Sequence, residues 1–231
     1  CHWCAIPGKE YTLNDIVKIN FVAVFDTAFK EMMNSGQEPS VELLWDTFIK
    51  HINKAVAVTA EGMDFQIEHM HEVFPELLMD LLCEGPIEKG LDASNGGLEY
   101  INLCVDGAGL AVVADSFAAL EKRIEKNKQI TWDQIDKALK NDYKGYEDIQ
   151  LMMKNSDHYG NGGTIADTYA ENIVKEFVAA VKKEPTPKGY NMIPGLFSWA
   201  NTIPMGKAVG ATPNGRLAYT PISHGANPLP G

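Results

Sequence analysis

Apolar residues recur at intervals of three and four along the first third of the chain. Ile16, Ile19, Val22, Phe25, Phe29 and Met32 line one stripe, which predicts a helix over 11–36. Thr12 stands at its start with Asp15 three residues on, as in a capping box, and Gly36 stops it. Ser40 caps a second helix with Leu44, Phe48, Ile52, Ala55 and Val56 as its stripe. After Gly62 a third helical stretch carries Ile67, Met70 and Phe74. Pro75 interrupts it, and the apolar pattern resumes as a short segment over 77–83.

The pattern changes after 84–97, a loop rich in Gly, Pro, Asn and Asp. Residues 98–105 predict a strand. Gly107 and Gly109 then open a helix through Ala111, Val112, Phe117 and Leu120, the strand, glycine turn and helix order of α/β proteins. Thr131-Trp132-Asp133-Gln134 is a capping box for another helix. Residues 164–183 form a long amphipathic helix stopped by Pro185 and Pro187. From Gly189 on, Gly and Pro are dense; 192–198 predict a strand and the remainder an ordered loop. No repeat, low-complexity tract or linker interrupts the chain. The reading is one helix-rich α/β domain over 1–231 with a few buried strands.

Composition narrows the partners. The chain has 231 residues, 45% of them hydrophobic and 22% charged, in the range of a globular protein. Its formal net charge of -11 argues against nucleic acid or an anionic membrane as partner, since both would repel it. No apolar run approaches the ~20 residues of a membrane span. The chain opens on Cys1 with neither an initiator Met nor a signal-peptide pattern, so it is expected to be a piece of a longer protein. Four cysteines in this length do not make a disulfide scaffold, and reduced thiols in a cytoplasm are the expectation.

Cys1-His2-Trp3-Cys4 is the densest chemical signal. A Cys-x-x-Cys pair binds metal or cycles through a disulfide, or it is structurally idle. Zinc needs a second ligand pair. The one tight histidine cluster, His69 and His71, is spaced i, i+2 and splits across helix faces, so no metal site is predicted. With Glu68 and Glu72 it reads as a solvated helix face. Pro7-Gly8 follows the cysteines where a thioredoxin-type site has a helix. Cys83 and Cys104 sit in apolar contexts and read as core. Asp115-Ser116, inside an apolar helix, reads as a buried polar pair that anchors it. In Gly210-Ala211-Thr212-Pro213-Asn214-Gly215-Arg216, Pro213 and Asn214-Gly215 build a tight turn that presents Arg216 as a fixed cation. Arg216 can hold a carboxylate ligand or a structural partner. His158-Tyr159-Gly160-Asn161-Gly162-Gly163 lacks the Lys-Ser/Thr of a phosphate-binding loop.

Taken together, these segments resemble the pyruvate formate-lyase-like family of glycyl radical enzymes. The 210–216 turn followed by Thr220-Pro221-Ile222-Ser223-His224-Gly225-Ala226-Asn227-Pro228 is similar to the family's GATPDGR and P-L-x-x-G-x-S-P, with Asn214 where Asp is usual. Ala114-Asp115-Ser116-Phe117-Ala118-Ala119-Leu120 resembles its ADSLAAI helix, and Asp157-His158-Tyr159-Gly160-Asn161 its K-Y-G-N-D segment. Glu88-Lys89-Gly90-Leu91-Asp92, Gly96-Gly97 and Tyr100 match in order and spacing.

The resemblance implies the C-terminal half of a ten-stranded α/β barrel. Pro7-Gly8-Lys9-Glu10-Tyr11 matches the run after the family's catalytic cysteine, and counting back places that role on Cys1. Trp3 then occupies the position of a glutamate that the family's dehydratases use as acid–base group, which counts against diol, choline or hydroxyproline dehydration. Trp3 and Cys4 are implied pocket residues; Asn214 and Arg216 are implied structural loop residues. The implied chemistry is thiyl-radical hydrogen abstraction followed by C–C or C–heteroatom cleavage of a small organic substrate, by a lyase or a formate acetyltransferase-like enzyme. The radical would sit on a glycine of an R-V-x-G-Y motif outside these 231 residues, installed by an iron–sulfur radical-SAM activating enzyme, in an anaerobic cytoplasm and a homodimer. Radical addition of the alkyl- or arylsuccinate synthase type, a binding scaffold on a decayed barrel, and a thiol-redox or metal-binding protein using Cys1 and Cys4 remain as alternatives.

Overall fold

A computed structural model of the chain describes residues 5–183, 185–196, 198 and 200–229. They fold as two compact units interleaved along the sequence. The first takes the residues up to Lys18, Lys54–Asp106 and Val178–Gly195; the second takes Ile19–Asn53, Gly107–Phe177 and the residues from Leu196 on.

The first unit is built on a three-stranded sheet in the order β1-β2-β3, formed by β1 (Glu10–Asn20), β2 (Tyr100–Ala108) and β3 (Asn191–Gly195). Strands β2 and β3 run parallel, with Asn102 opposite Asn191 and Asp106 opposite Gly195. The predicted strands at 98–105 and 192–198 thus form, each displaced by a few residues. Consecutive Leu103, Cys104 and Val105 of β2 are all fully buried, as in a parallel strand covered on both faces. Helix α2 (Val41–Val73) supplies Val56, Ala60, Met63 and Ile67 to this core, at spacings of four, three and four. Two short helices follow, α3 (Leu77–Leu82) and α4 (Pro86–Lys89).

The second unit contains α1 (Phe21–Asn34), α5 (Leu110–Leu120), α6 (Trp132–Lys140), α7 (Glu147–Lys154), most of α8 (Ile165–Lys182) and α9 (Thr202–Lys207). Every residue of α5 is buried. Phe117 is the hub: its ring lies 5.1 Å from Phe25, 5.3 Å from Trp45 and 5.1 Å from Tyr169, distances at which aromatic pairs add to area burial. Gly109 begins α5 at φ +91, and a side chain there would strike Val22. The capping box of α6 forms as predicted, with Thr131 and Gln134 each accepting from the other's backbone N–H.

Three expectations are corrected. The helix predicted over 11–36 is a strand as far as Asn20 and a helix only from Phe21. Thr12, Ile16, Val17 and Ile19 are β-branched and Asn14-Asp15 are poor helix formers, and Thr12 and Asp15 lie in β1 instead of at a helix start. The cap is Asn20, whose side chain accepts from the N–H groups of Val22 and Ala23 at 3.1 and 3.2 Å. The second and third helices are one, because Gly62 costs a helix interior only about 1 kcal/mol and the buried stripe runs through it. The C-terminal loop contains α9, disguised by Pro204 and Gly206. Among the described residues no helix is long and apolar enough to cross a membrane.

Candidate functional site

Cys1, Trp3 and Cys4 lie outside the described residues. The turn that follows them is described, and it is firmly held. The Ile6 carbonyl accepts from the N–H groups of Lys9 and Glu10, each at 3.1 Å. The Glu10 carboxylate accepts from the Ile6 N–H at 2.9 Å and from the Asn102 amide at 2.5 Å. Gly8, at φ +75, offers its carbonyl to Glu84 N–H, and the Lys9 carbonyl accepts from Tyr100 N–H. Hydrogen bonding and charge from Glu84, with Glu99 beyond it, raise the Lys9 ammonium above its usual range. The Pro-Gly-Lys run therefore leads into β1 through backbone bonds to the β2 entry and to the link between α3 and α4, which fixes the path of the chain just after the cysteine segment.

In the second unit the Asp115 carboxylate is only 1% exposed. It accepts from His158 Nδ1 at 2.9 Å and from Tyr159 N–H at 2.8 Å. His158 Nε2 lies 2.8 Å from the Lys154 carbonyl oxygen. Both neighbours of the ring are acceptors, so the arrangement is complete when both nitrogens carry hydrogen. Burial pulls the His158 pKa down, but the hydrogen bond and charge of Asp115 outweigh it and hold the ring above its ordinary 6.5. Burial raises the Asp115 carboxyl, against the bonds from His158 and Tyr159. Next to it, Ser116 donates to the Val112 carbonyl and accepts from Asn214 N–H. Asp115-Ser116 is thus the anchoring pair that the sequence predicts. His158, 43 residues away, was missed. The available signal was that a carboxylate inside an apolar helix requires a partner.

Arg216 binds the Gly210, Leu217 and Thr220 carbonyls. Among the described residues its hydrogen-bond partners include no carboxylate, and the structural role is the one seen. Its Nε–H is buried without a partner, and burial lowers the guanidinium pKa to about 10, so it stays charged at neutral pH. Asn214 is 6% exposed; its Oδ1 accepts from Thr212 Oγ1 and from Arg216 N–H. Tyr143 donates from beneath to the Thr212 carbonyl, and Gln150 to that of Gly215. A cavity of about 570 Å3 opens over this turn, and Lys154, His158, Asn161, Asn214 and Arg216 are on its walls with Pro228 and Leu229.

The remaining candidates are structural. Cys104 is buried and Cys83 half-buried. His69 meets Glu72 at 3.4 Å on an exposed helix face.

The pyruvate formate lyase-like family pattern matches residues 1–206, a span that holds the cysteine segment and its exit turn. The chain is 30% identical over 193 residues to trans-4-hydroxy-L-proline dehydratase of Clostridioides difficile, covering 83% of this chain and 24% of that protein. It is 36% identical over 123 residues to isethionate sulfite-lyase of Bilophila wadsworthia, covering 53% of this chain and 15% of that one. Among solved structures, the glycerol-bound B12-independent glycerol dehydratase of Clostridium butyricum superposes with a TM-score of 0.87 at 24% identity, over 97% of this chain and 30% of that one. A glycyl radical enzyme of Archaeoglobus fulgidus superposes equally well at 25% identity, over the same shares of the two chains. The chain thus spans roughly a quarter of the length of these relatives, and its fold is part of their α/β barrel. With the family pattern matched over most of its residues, the chain belongs to the pyruvate formate lyase-like family of glycyl radical enzymes.

Proposed function

We propose that the protein to which this chain belongs is a glycyl radical lyase with Cys1 as its hydrogen-transfer cysteine. The observation that carries this reading is register: Cys1 lies seven residues before Gly8, in the spacing of the family cysteine from its Pro-Gly-Lys run, inside the matched span. A glycyl radical takes the hydrogen atom of the Cys1 thiol. The sulfur radical takes a hydrogen atom from a substrate carbon, breaking C–H and forming S–H. The substrate radical loses its neighbouring group, and the product radical recovers the hydrogen from the thiol. The relatives' printed names, dehydratase and sulfite-lyase, favour a C–O or C–S bond as the one broken. Trp3, where the dehydratases have glutamate, cannot act as an acid–base group, so it serves as an apolar wall that keeps water from the radical. That substitution favours a leaving group that departs without a proton from this position, including C–C cleavage of the formate acetyltransferase type. A radical-SAM activating enzyme, a homodimeric assembly and an anaerobic cytoplasm complete the proposal.

The test is made on the whole protein after activation. Cys1→Ser is expected to abolish turnover while the glycyl radical still appears by electron paramagnetic resonance, because a serine O–H bond is too strong to exchange hydrogen with a glycyl radical. Cys4→Ser should be milder, and Trp3→Glu should lower native activity. Full activity in Cys1→Ser, or loss confined to Cys4→Ser, would overturn the assignment.

A further inference from the structure

The cavity over the 210–216 turn brings together three basic groups with no carboxylate on its walls, in a chain whose net charge is -11. Arg216 is held by backbone carbonyls, and the charges of Asp142 and Asp26 act on it without a hydrogen bond. His158 has both ring nitrogens on acceptors. Lys154 ends α7, where helix carbonyls favour a cation, but its ammonium has no hydrogen-bond or ion-pair partner among the described residues. The site is also built to keep Lys154 there. Gly215 sits at φ +85, and a Cβ on it would come within 2.5 Å of the Lys154 Cγ. The lysine stem therefore lies directly on the glycine of the turn.

The acidic groups nearby have partners of their own, and Asp115 is the partner of His158 itself. Asp115 is covered by His158 and Tyr159, Asp157 pairs with Lys122 at 2.8 Å, and Asp167 accepts from the Gly160 and Thr164 N–H groups. Asn214 matters most. It is nine-tenths buried on the cavity wall, its Oδ1 is occupied by Thr212 and Arg216, and its NH2 has no protein partner among the described residues. An aspartate of the same shape would give these cations an internal counter-charge. The amide instead offers them a further donor.

We propose that this cavity is a binding site for a small oxyanion group, a phosphate, sulfonate or carboxylate, held by the Lys154 ammonium and the Asn214 amide with Asn161 beside them. Arg216 supplies the surrounding positive field, while the His158 charge is paired with Asp115. The volume, about 570 Å3, suits a small organic molecule bearing such a group better than a bare ion. The inference is independent of the radical chemistry proposed above.

Isothermal titration calorimetry at fixed ionic strength in chloride, with inorganic phosphate, methanesulfonate and acetate as separate probes, tests it. At least one probe should bind with a dissociation constant on the order of 1 mM or tighter. The preferred probe identifies which oxyanion class the cavity takes. Lys154→Met, which keeps the stem on Gly215, and Asn214→Asp, which keeps the turn but adds a carboxylate, should each weaken binding about tenfold or more. Thermal melts by circular dichroism establish that both variants are folded. Lack of binding by all three probes, or binding unchanged in both folded variants, overturns the proposal.

Discussion

His158 shows how much a single side chain depends on residues distant in sequence. Its ring is held toward the charged form because Asp115, buried in α5, and the end carbonyl of α7 lie at its two nitrogens. The net shift is upward, so the sign of its contribution follows. His158 stabilises the folded chain fully below its unfolded value of about 6.5, and that contribution is lost as pH rises through the higher folded value. Nuclear magnetic resonance should therefore find His158 titrating above 6.5, and Asp115→Asn should bring its midpoint down. A midpoint at or below 6.5 in the wild type would show that the pair does not act as described. Asp115 was legible in the sequence as a buried polar residue because it interrupts an apolar helix. His158 was not, since nothing in the local sequence of a Gly-rich loop says which helix it will meet. Arg216 was legible as a residue fixed by its turn, because Pro213 and Asn214-Gly215 dictate that geometry. Its carbonyl partners were not separable from a carboxylate without coordinates.

At the scale of elements, caps and breakers decided more than stripes did. Thr131 with Gln134 specified the start of α6 correctly, because both halves of the box are local. The junction of β1 and α1 was hidden because Ile16 and Ile19 happen to continue the three-and-four spacing of Val22, Phe25, Phe29 and Met32 backwards into a strand. The boundary lies in Asn20, which satisfies two of the first N–H groups of α1. Asn20→Ala should cost about 1 kcal/mol of stability, and Thr131→Ala about the same. Denaturant unfolding of both variants checks this. A loss well below ~0.5 kcal/mol in Asn20→Ala would show that tertiary contacts, not the cap, set the junction. Gly62 makes the opposite point: a glycine without proline or a capping residue does not end a helix whose buried stripe continues, and α2 runs on to Val73.

At the scale of the whole molecule, apolar pattern and burial part company in one place. The sequence carries Phe74, Leu77, Leu78, Leu81 and Leu82 as a continuation of the helical apolar pattern. In the first unit these side chains face water, each about two-thirds exposed or more, and α3 buries none of its residues. The cause is geometric: Pro75 turns the chain at the end of α2, and α3 is too short to bring an apolar face back onto the stripe that Val56, Met63 and Ile67 bury. The pattern made the residue types legible, but no periodicity says what covers a face. Exposed leucines so close together form an apolar surface of the kind that soluble chains rarely leave open. The 231-residue chain on its own is therefore expected to bind a hydrophobic dye such as anilinonaphthalene sulfonate in its folded state, and to associate as its concentration rises. Replacing Leu78 and Leu81 together by lysine should suppress both effects with little loss of thermal stability, because neither side chain is buried and the substitution removes the apolar surface. Dye fluorescence and sedimentation velocity measured on the wild type and the double variant decide it. A wild-type chain that stays monomeric and dye-free at high concentration, or a double variant that unfolds, would mean that these leucines are covered by contacts within the chain.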